Sequence, residues 1–360
     1  MNDRRIVTPA CCVPRREFLT QAGRKVAGIG AALAIGPQAL YAAEATSAAA
    51  GPAVAPQSPV AKAPSAESLV KILYESLTPG QKEQVCFAWD HEDDQRALLR
   101  TYVNPNWMIT DQEINGDFYT LDQRALIRAI AEGLHDPGWL DNFHKQQRDD
   151  SGKFGNDAAI AVFGTPGSGK FEFVLSGRHT TLRCDGDSAD HVAFGGPIFY
   201  GHAADGFDEK PDHPGNVFWP QAKEANKLYE MLDGKQRKLA LVTTAPYEGA
   251  VEFRGDKRGF DGVPISELSG DQQAHGQQVL QKLVEPYRQS DRDEAIACLK
   301  KQGGLAACHL AFYKEDDIGD DGVWDIWRLE GPSFVWHYRG APHVHVWVNV
   351  ADDPGVELNA

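Results

Sequence analysis

The sequence predicts an α+β fold in which a mostly antiparallel sheet packs against several helices. Two observations support this. Apolar residues recur at helical spacing in several segments between residues 67 and 302, and several of these segments begin with a capping box. Alternating apolar and polar residues, typical of half-buried strands, occur mid-chain and again between residues 306 and 350.

The N-terminal part of the chain is expected to lie outside this fold. Pro14-Arg15-Arg16-Glu17-Phe18-Leu19 matches the twin-arginine export pattern, a Gly- and Ala-rich apolar run follows, and Ala42-Ala43 suits a signal peptidase. The apolar run is too short and Gly-rich for a membrane span. We therefore predict a twin-arginine signal peptide over residues 1–43, a flexible Ala/Pro/Ser tether over 44–65 and a single α+β domain over 66–360.

These features predict a periplasmic or secreted protein that uses the twin-arginine export machinery and has no stable membrane anchor. The net charge of −15 argues against nucleic acid as a partner, because phosphate binding needs a basic surface. Four cysteines follow the signal peptide: Cys86, Cys184, Cys298 and Cys308. An oxidising compartment permits disulfides, but the sequence does not choose among the three possible pairings.

Apolar spacing predicts helices over residues 67–77, 121–134, 219–232, 235–242, 271–287 and 291–302. Capping boxes begin at Thr78, Asp233 and Ser269, each followed three residues later by Gln. Their surroundings differ too much for a solenoid repeat. Residues 97–103 fit either a helix or a strand, and the polar, Gly-bearing stretch 141–156 is predicted to be a loop.

Strands are predicted over residues 158–163, 171–182, 306–313, 323–330, 333–339 and 343–350. The first two flank Gly164-Thr165-Pro166-Gly167-Ser168-Gly169-Lys170, which fits the opening of a phosphate-binding loop. That motif needs Ser or Thr after the Lys and then a helix, whereas Phe171 follows here and begins a strand. A turn between two strands is therefore the better interpretation.

The last two strands read as a hairpin that concentrates histidines on one face. Side chains in a strand alternate between faces. The second arm directs four valines to the core face: Val344, Val346, Val348 and Val350. Its other face carries His343, His345, Trp347 and Asn349. In the first arm, Phe334, Trp336 and Tyr338 share one face, and Val335, His337 and Arg339 share the other.

A turn at Gly340-Ala341-Pro342 places Arg339 opposite His343 and His337 opposite His345. Three imidazoles then share one patch, the kind of convergence that a first-row metal needs. A further candidate, His179, follows Gly177-Arg178 on the predicted strand 171–182.

The chain resembles a bacterial family known as domain of unknown function 3500. The resemblance rests on the exported N-terminus and on four motifs: Gly177-Arg178-His179, Gly196-Pro197-Ile198-Phe199, Arg328-Leu329-Glu330-Gly331-Pro332 and His343-Val344-His345. It spans most of the chain from about residue 67. In that family the first motif is commonly Gly-His-His-Leu, so this chain keeps one histidine there. The resemblance implies that the two His motifs belong to one domain, and it implies no chemistry.

We expect a metal site formed by His343 and His345 with His337, His179 or both. Neutral imidazoles favour a transition metal ion, copper or zinc, over magnesium or calcium. No carboxylate is seen in the His cluster, which weighs against a two-His-one-carboxylate iron site, although Asp325 on the neighbouring strand could supply one.

Arg339 and Arg178 are the candidate catalytic residues, because a guanidinium binds an anionic group of a small-molecule substrate through paired hydrogen bonds. The expected function is an exported metal-dependent enzyme, with an oxidoreductase slightly favoured over a hydrolase. The alternative is a non-catalytic periplasmic protein that binds a metal or a small ligand. A serine hydrolase fits less well, because the chain lacks a Gly-x-Ser-x-Gly motif.

Overall fold

One large β-sheet runs through the part of the chain that the computed structural model describes, residues 64–210, 212–255, 259–356 and 358. The predicted signal peptide, and the predicted tether up to residue 63, lie outside the described residues. The division into signal peptide, tether and single domain stays a prediction.

The described residues form eight α-helices: α1 (Ala66–Ser76), α2 (Pro79–Val85), α3 (Leu121–Gly133), α4 (Leu140–Ser151), α5 (Trp219–Met231), α6 (Gly234–Ala240), α7 (Gly270–Val284) and α8 (Gln289–Lys301). The capping boxes at Thr78, Asp233 and Ser269 all form, because each side chain accepts a hydrogen bond from the backbone of the Gln three residues later. Thr120 begins a fourth box at the start of α3. Local sequence therefore fixes these helix starts.

Helix α4 corrects the prediction of a loop over residues 141–156. Its buried face consists of Phe143, Gln146, Gln147 and Asp150. These residues have helical spacing, but only one of them is apolar. Hydrophobic periodicity therefore gives almost no signal for a helix whose inward face is held by hydrogen bonds.

The described residues contain thirteen strands: β1 (Cys86–Phe87), β2 (Glu92–Asp93), β3 (Ala97–Leu98), β4 (Ala158–Gly164), β5 (Phe171–Gly177), β6 (Thr180–Cys184), β7 (Ile198–His202), β8 (Leu241–Val242), β9 (Val263–Pro264), β10 (His309–Tyr313), β11 (Ile326–Gly331), β12 (Phe334–Arg339) and β13 (Val344–Val350). The stretch 97–103 begins as β3 and continues as a short 3-10 turn, Leu99–Thr101. As predicted, a turn and not a helix follows Gly164.

The main sheet has the order β1-β4-β5-β6-β7-β13-β12-β11-β10-β8, with β9 also paired to β10. The central ladders are antiparallel, as predicted. The sheet is nevertheless mixed, because the short strands β1 and β8 add in parallel to β4 and β10 at the two ends. Strands β2 and β3 form a separate ribbon.

Residues 219–350 repeat the order of elements found in residues 66–202. Each half has two helices in tandem, a two-residue strand that joins a sheet end, two more helices and four antiparallel strands. The sheet order is therefore the same read from either end, and the halves meet where β7 pairs with β13. The capping boxes mark a twofold repeat, which differs from a solenoid.

Paired glutamines show the same repeat in side-chain detail. In the first half, Gln81 and Gln123 exchange two amide hydrogen bonds of 2.9 and 3.1 Å. In the second half, Gln236 and Gln272 do the same at 3.1 and 2.9 Å. Each pair joins the starts of two helices that are distant in sequence, so the capping residues also hold the helix layer together.

The two faces of the sheet have different surroundings. The valines of β13 and the aromatic residues Trp336 and Tyr338 of β12 belong to the main core with the helices, as their alternation predicts. On the opposite face, Phe199, Val335 and Trp347 pack against Val251, which lies in the irregular segment between β8 and β9. The predicted histidine face is therefore the face opposite the one on which the helices of the main core pack.

The four cysteines in the described residues are free thiols: Cys86, Cys184, Cys298 and Cys308. None of the three pairings that the sequence allows is formed. None of the helices in the described part of the chain is both long and apolar enough to cross a bilayer.

Candidate metal centre

The first candidate ligand, His179, lies at a tight turn and not within a strand. The sequence predicts one strand over residues 171–182, but the chain reverses after Gly177, which pairs with Thr180 across the β5–β6 hairpin. The prediction is wrong because His179 has a φ of 55°, in the left-handed region that strands do not use.

Three hydrogen bonds hold this turn through the backbone of His179. Its N–H donates to the carbonyl of Pro105 (2.9 Å), and its carbonyl accepts from the N–H of Gly201 (3.1 Å) and the side-chain amide of Gln146 (3.0 Å). A non-glycine residue in this region is strained, and such strain persists where the surroundings enforce it, often at functional sites. The turn fixes His179 beside β7, the strand that pairs with β13.

The β12–β13 hairpin supplies the other two candidates in a register that differs from the prediction. Arg339 pairs with His345 and not with His343, and His337 pairs with Trp347. Five residues separate the last pair, whereas the predicted loop has three. A shift of two residues keeps each side chain on its predicted face, so the histidine face survives while the neighbours change.

The rings of His179, His343 and His345 meet through their Nε2 atoms. Nε2 of His345 lies 3.1 Å from that of His343 and 3.3 Å from that of His179. Each residue is 4 % exposed. Two nitrogens that bind one tetrahedral ion at about 2.0–2.1 Å are roughly 3.3–3.4 Å apart, so these two separations fit a shared cation. The three ligand atoms all lie within 4.8 Å of one another.

The other ring nitrogen of each histidine contacts a hydrogen-bond acceptor. These contacts join the Nδ1 atoms of His179, His343 and His345 to Asp150 Oδ1 (2.8 Å), the Phe207 carbonyl (2.8 Å) and Glu248 Oε2 (3.1 Å). The acceptors place the ring proton on Nδ1, so each Nε2 presents a lone pair. An acceptor behind each ring is typical of histidines that bind metals.

The surroundings of His343 and His345 hold both rings in the neutral form that a metal ligand needs. Burial lowers the pKa of His343 to about 4 and the pKa of His345 well below its usual range, and the charges of Arg339 and Arg178 lower the second further. Both rings are therefore neutral at neutral pH. The Nε2 lone pairs of His343 and His345 repel each other at 3.1 Å. A metal ion bound to both nitrogens would remove this repulsion.

Residues 60–350 match the family model described as Protein of unknown function (DUF3500). The chain belongs to this family. The match covers most of the chain and confirms the resemblance read from the sequence motifs. Neither the curated proteins nor the solved structures include a match to this chain.

His337 of this DUF3500 protein lies outside the three-histidine group, contrary to the predicted register. It is fully buried beside Trp347, and its Nδ1 accepts a hydrogen bond from Nε of Arg328 (3.2 Å). Burial and the positive charge of Arg328 hold the pKa of His337 well below its usual range. The register shift thus separates this ring from His343 and His345.

Both predicted arginines lie beside the group. Arg178 forms the β5–β6 turn with His179, and its buried Nε has no hydrogen-bond partner among the described residues. Nε of Arg339 lies 3.3 Å from Glu248, and its Nη2 lies 3.4 Å from the carbonyl of His343. Two guanidiniums therefore flank the place where the rings meet.

Two carboxylates at this site were missed by the sequence analysis. Asp150 lies on the helix that was predicted to be a loop, and only the helical spacing of Phe143, Gln146 and Asp150 could have indicated it. Glu248 lies in an irregular segment without any periodic signal. Asp325, the carboxylate that was considered, accepts a hydrogen bond from the backbone of Ile318 and is not part of the group.

Proposed function

We propose that the protein is an exported metal-dependent enzyme in which His179, His343 and His345 hold copper or zinc through Nε2. The observation that supports this is the convergence of three Nε2 lone pairs, each fixed by an acceptor at the opposite ring nitrogen. Neutral imidazole ligands without a carboxylate favour these two metals.

The residues around the rings suit a small substrate with an anionic group. When bound, copper supplies redox chemistry, whereas zinc supplies an activated water. Asp150 and Glu248 orient the rings and keep their protons on Nδ1. Arg178 and Arg339 lie at the flank, where they can bind and orient an anion. An oxidoreductase is favoured over a hydrolase because the buried rings restrict the access of water.

The same enclosure also favours a second candidate, a protein that holds a metal without turning over a substrate. The candidate ligands are 4 % exposed, which suits retention of an ion. Turnover that depends on the three histidines distinguishes an enzyme from such a carrier.

The test is the metal content of the purified protein after reconstitution with copper or zinc, compared among variants. We expect one equivalent per chain in the natural protein and none in His345→Ala. His191→Ala is the control, because its ring is exposed and its Nδ1 contacts Asp352 (2.8 Å), outside the three-histidine group. A natural protein that retains neither metal would contradict the proposal. His337→Gln tests the remaining predicted ligand and is expected to keep the metal.

A further inference from the structure

The three-histidine group is covered by a short segment that we call the strap, residues 247–255. The strap runs alongside β13, on the face of the sheet that carries the histidines. Glu248 contacts His345, and the side-chain amide of Asn349 donates to the carbonyl of Val251 (3.0 Å). Further on, Arg254 pairs with Glu330 (3.0 Å). The strap therefore encloses the group on the side of His345, whereas the carbonyl of Phe207 contacts His343 from another segment (2.8 Å).

Glu248 forms the contact between the strap and the metal centre. Its carboxylate lies 3.1 Å from Nδ1 of His345, and its two oxygens lie 3.3 and 3.4 Å from Arg339. Good charge-assisted hydrogen bonds are about 2.7–2.9 Å long. Val251 and Arg254 tie the strap to the sheet. At the metal centre itself, the strap is held by one carboxylate in loose contacts, two of them with a guanidinium.

Polar atoms on the face beside the strap are buried without a hydrogen-bond partner among the described residues. The side-chain nitrogen of Trp347 and Oδ1 of Asn349 are buried on this face and have no hydrogen-bond partner within the described residues. The same holds for Nη2 of Arg328. A buried polar group without a partner costs free energy, so the strap packs on a face whose polar groups are not all satisfied by protein atoms.

We propose that the strap is a lid and that a ligand carboxylate opens it by replacing the carboxylate of Glu248 at Arg339. The structure shows which group Arg339 binds in the closed state, and a substrate with the same group competes for the same guanidinium. The statement that this ligand is the substrate rests on the proposed function; the opening of the strap does not.

Hydrogen exchange of the strap tests the proposal without any metal. The N–H of Gly255 donates to the carbonyl of Pro332 outside the strap (2.9 Å), and Val251 is buried against the sheet. Exchange at these two residues therefore reports opening. We expect Glu248→Gln to raise exchange in this segment at least fivefold, with other peptides unchanged. Glu252→Gln, an exposed acid on the same strap, is the control and is expected to stay within twofold.

Acetate serves as the carboxylate probe. At equal ionic strength, replacing chloride with acetate is expected to raise strap exchange in the natural protein and in Glu252→Gln, and to add nothing in Glu248→Gln. Equal exchange in acetate and chloride would overturn the role of a ligand carboxylate. Unchanged exchange in Glu248→Gln would overturn the role of Glu248.

The rate at which Zn²⁺ associates with the metal-free protein separates this proposal from the proposed function. Loss of an acceptor behind His345 speeds metal release, whereas an open strap speeds association, and we expect association to be at least fivefold faster in Glu248→Gln. If the protein binds metal but neither strap exchange nor association responds, the lid is wrong and the metal site stands. If no metal binds while strap exchange responds, the proposed function fails and the lid stands.

Discussion

The two halves of the sheet use the same hairpin for different purposes. His179 and Ser333 hold equivalent positions at the turns of β5–β6 and β11–β12. The carbonyl of His179 accepts from the N–H of Gly201 (3.1 Å), and the carbonyl of Ser333 accepts from that of Ala351 (2.8 Å). The backbone frame of the candidate site is therefore present twice.

The side chains at these two turns differ in how their polar atoms are satisfied. In the second half, the N–H of Ser333 donates to Gln302 (2.7 Å) and its hydroxyl donates to Ala351 (2.8 Å). In the first half, His179 uses one nitrogen for Asp150 and directs the other toward two more imidazoles. The repeated scaffold thus does not call for a metal; what could hold a cation is the set of histidines at one of the two equivalent places.

The strongest test of this comparison is to make the first turn resemble the second. His179→Ser removes one of three ligands and leaves a small hydroxyl, as at Ser333. Because the two imidazoles of His343 and His345 hold an ion far less tightly than three, we expect no stoichiometric metal after dialysis, measured by elemental analysis. Ser333→Ala is the matched control and is expected to keep one equivalent. Full retention by His179→Ser would mean that the metal lies elsewhere.

A smaller effect is expected from the acceptor behind His179. Asp150→Asn weakens the hydrogen bond to Nδ1 of His179. Changes of this kind typically reduce metal affinity about 10–100-fold. Asp149→Asn is the matched control, because this neighbour contacts Lys145 and Nε2 of His202 (3.0 Å), outside the group. Competition with a coloured chelator measures both affinities. Equal losses in the two variants would indicate a general effect on helix α4.

The smallest expected effect is on stability, and it concerns the segment of the first half that corresponds to residues 343–345. Gly201 and Ala351 donate to the two equivalent turns and are 150 residues apart in sequence. The same offset makes Ala193 and Gly195 the counterparts of His343 and His345. There the carboxylate of Glu294 accepts from the N–H of Phe194 (3.0 Å). Burial raises the pKa of Glu294 from 4.5 to about 7.

This raised pKa predicts a pH dependence with a defined sign. Between about pH 4.5 and 7 the folded protein holds a proton that the unfolded chain releases, so the contribution of Glu294 is full below that range and is lost as pH rises through it. We expect the free energy of unfolding of the natural protein, relative to Glu294→Gln, to fall from pH 5 to pH 8 in urea titrations. A difference that does not change with pH would show that Glu294 titrates normally.

Sequence reasoning performs well where structure is decided locally. The capping boxes gave the helix starts, and the alternation of Val344 to Val350 gave the buried face of β13. It performed poorly where the buried face is polar, as in α4, or where one residue changes the path of the chain, as His179 does. Neither case produces a hydrophobic period.

By itself, the sequence determined that His343 and His345 share a face and that the chain belongs to a fold of helices on a sheet, because side-chain direction follows from local backbone geometry. Only the tertiary structure decided that His179 joins them, that His337 does not, and that Asp150 and Glu248 stand behind the rings. Contacts between segments so far apart in sequence depend on strand register, turn length and the path of the strap. Those quantities are set by the packing of the whole sheet, and no local pattern records them.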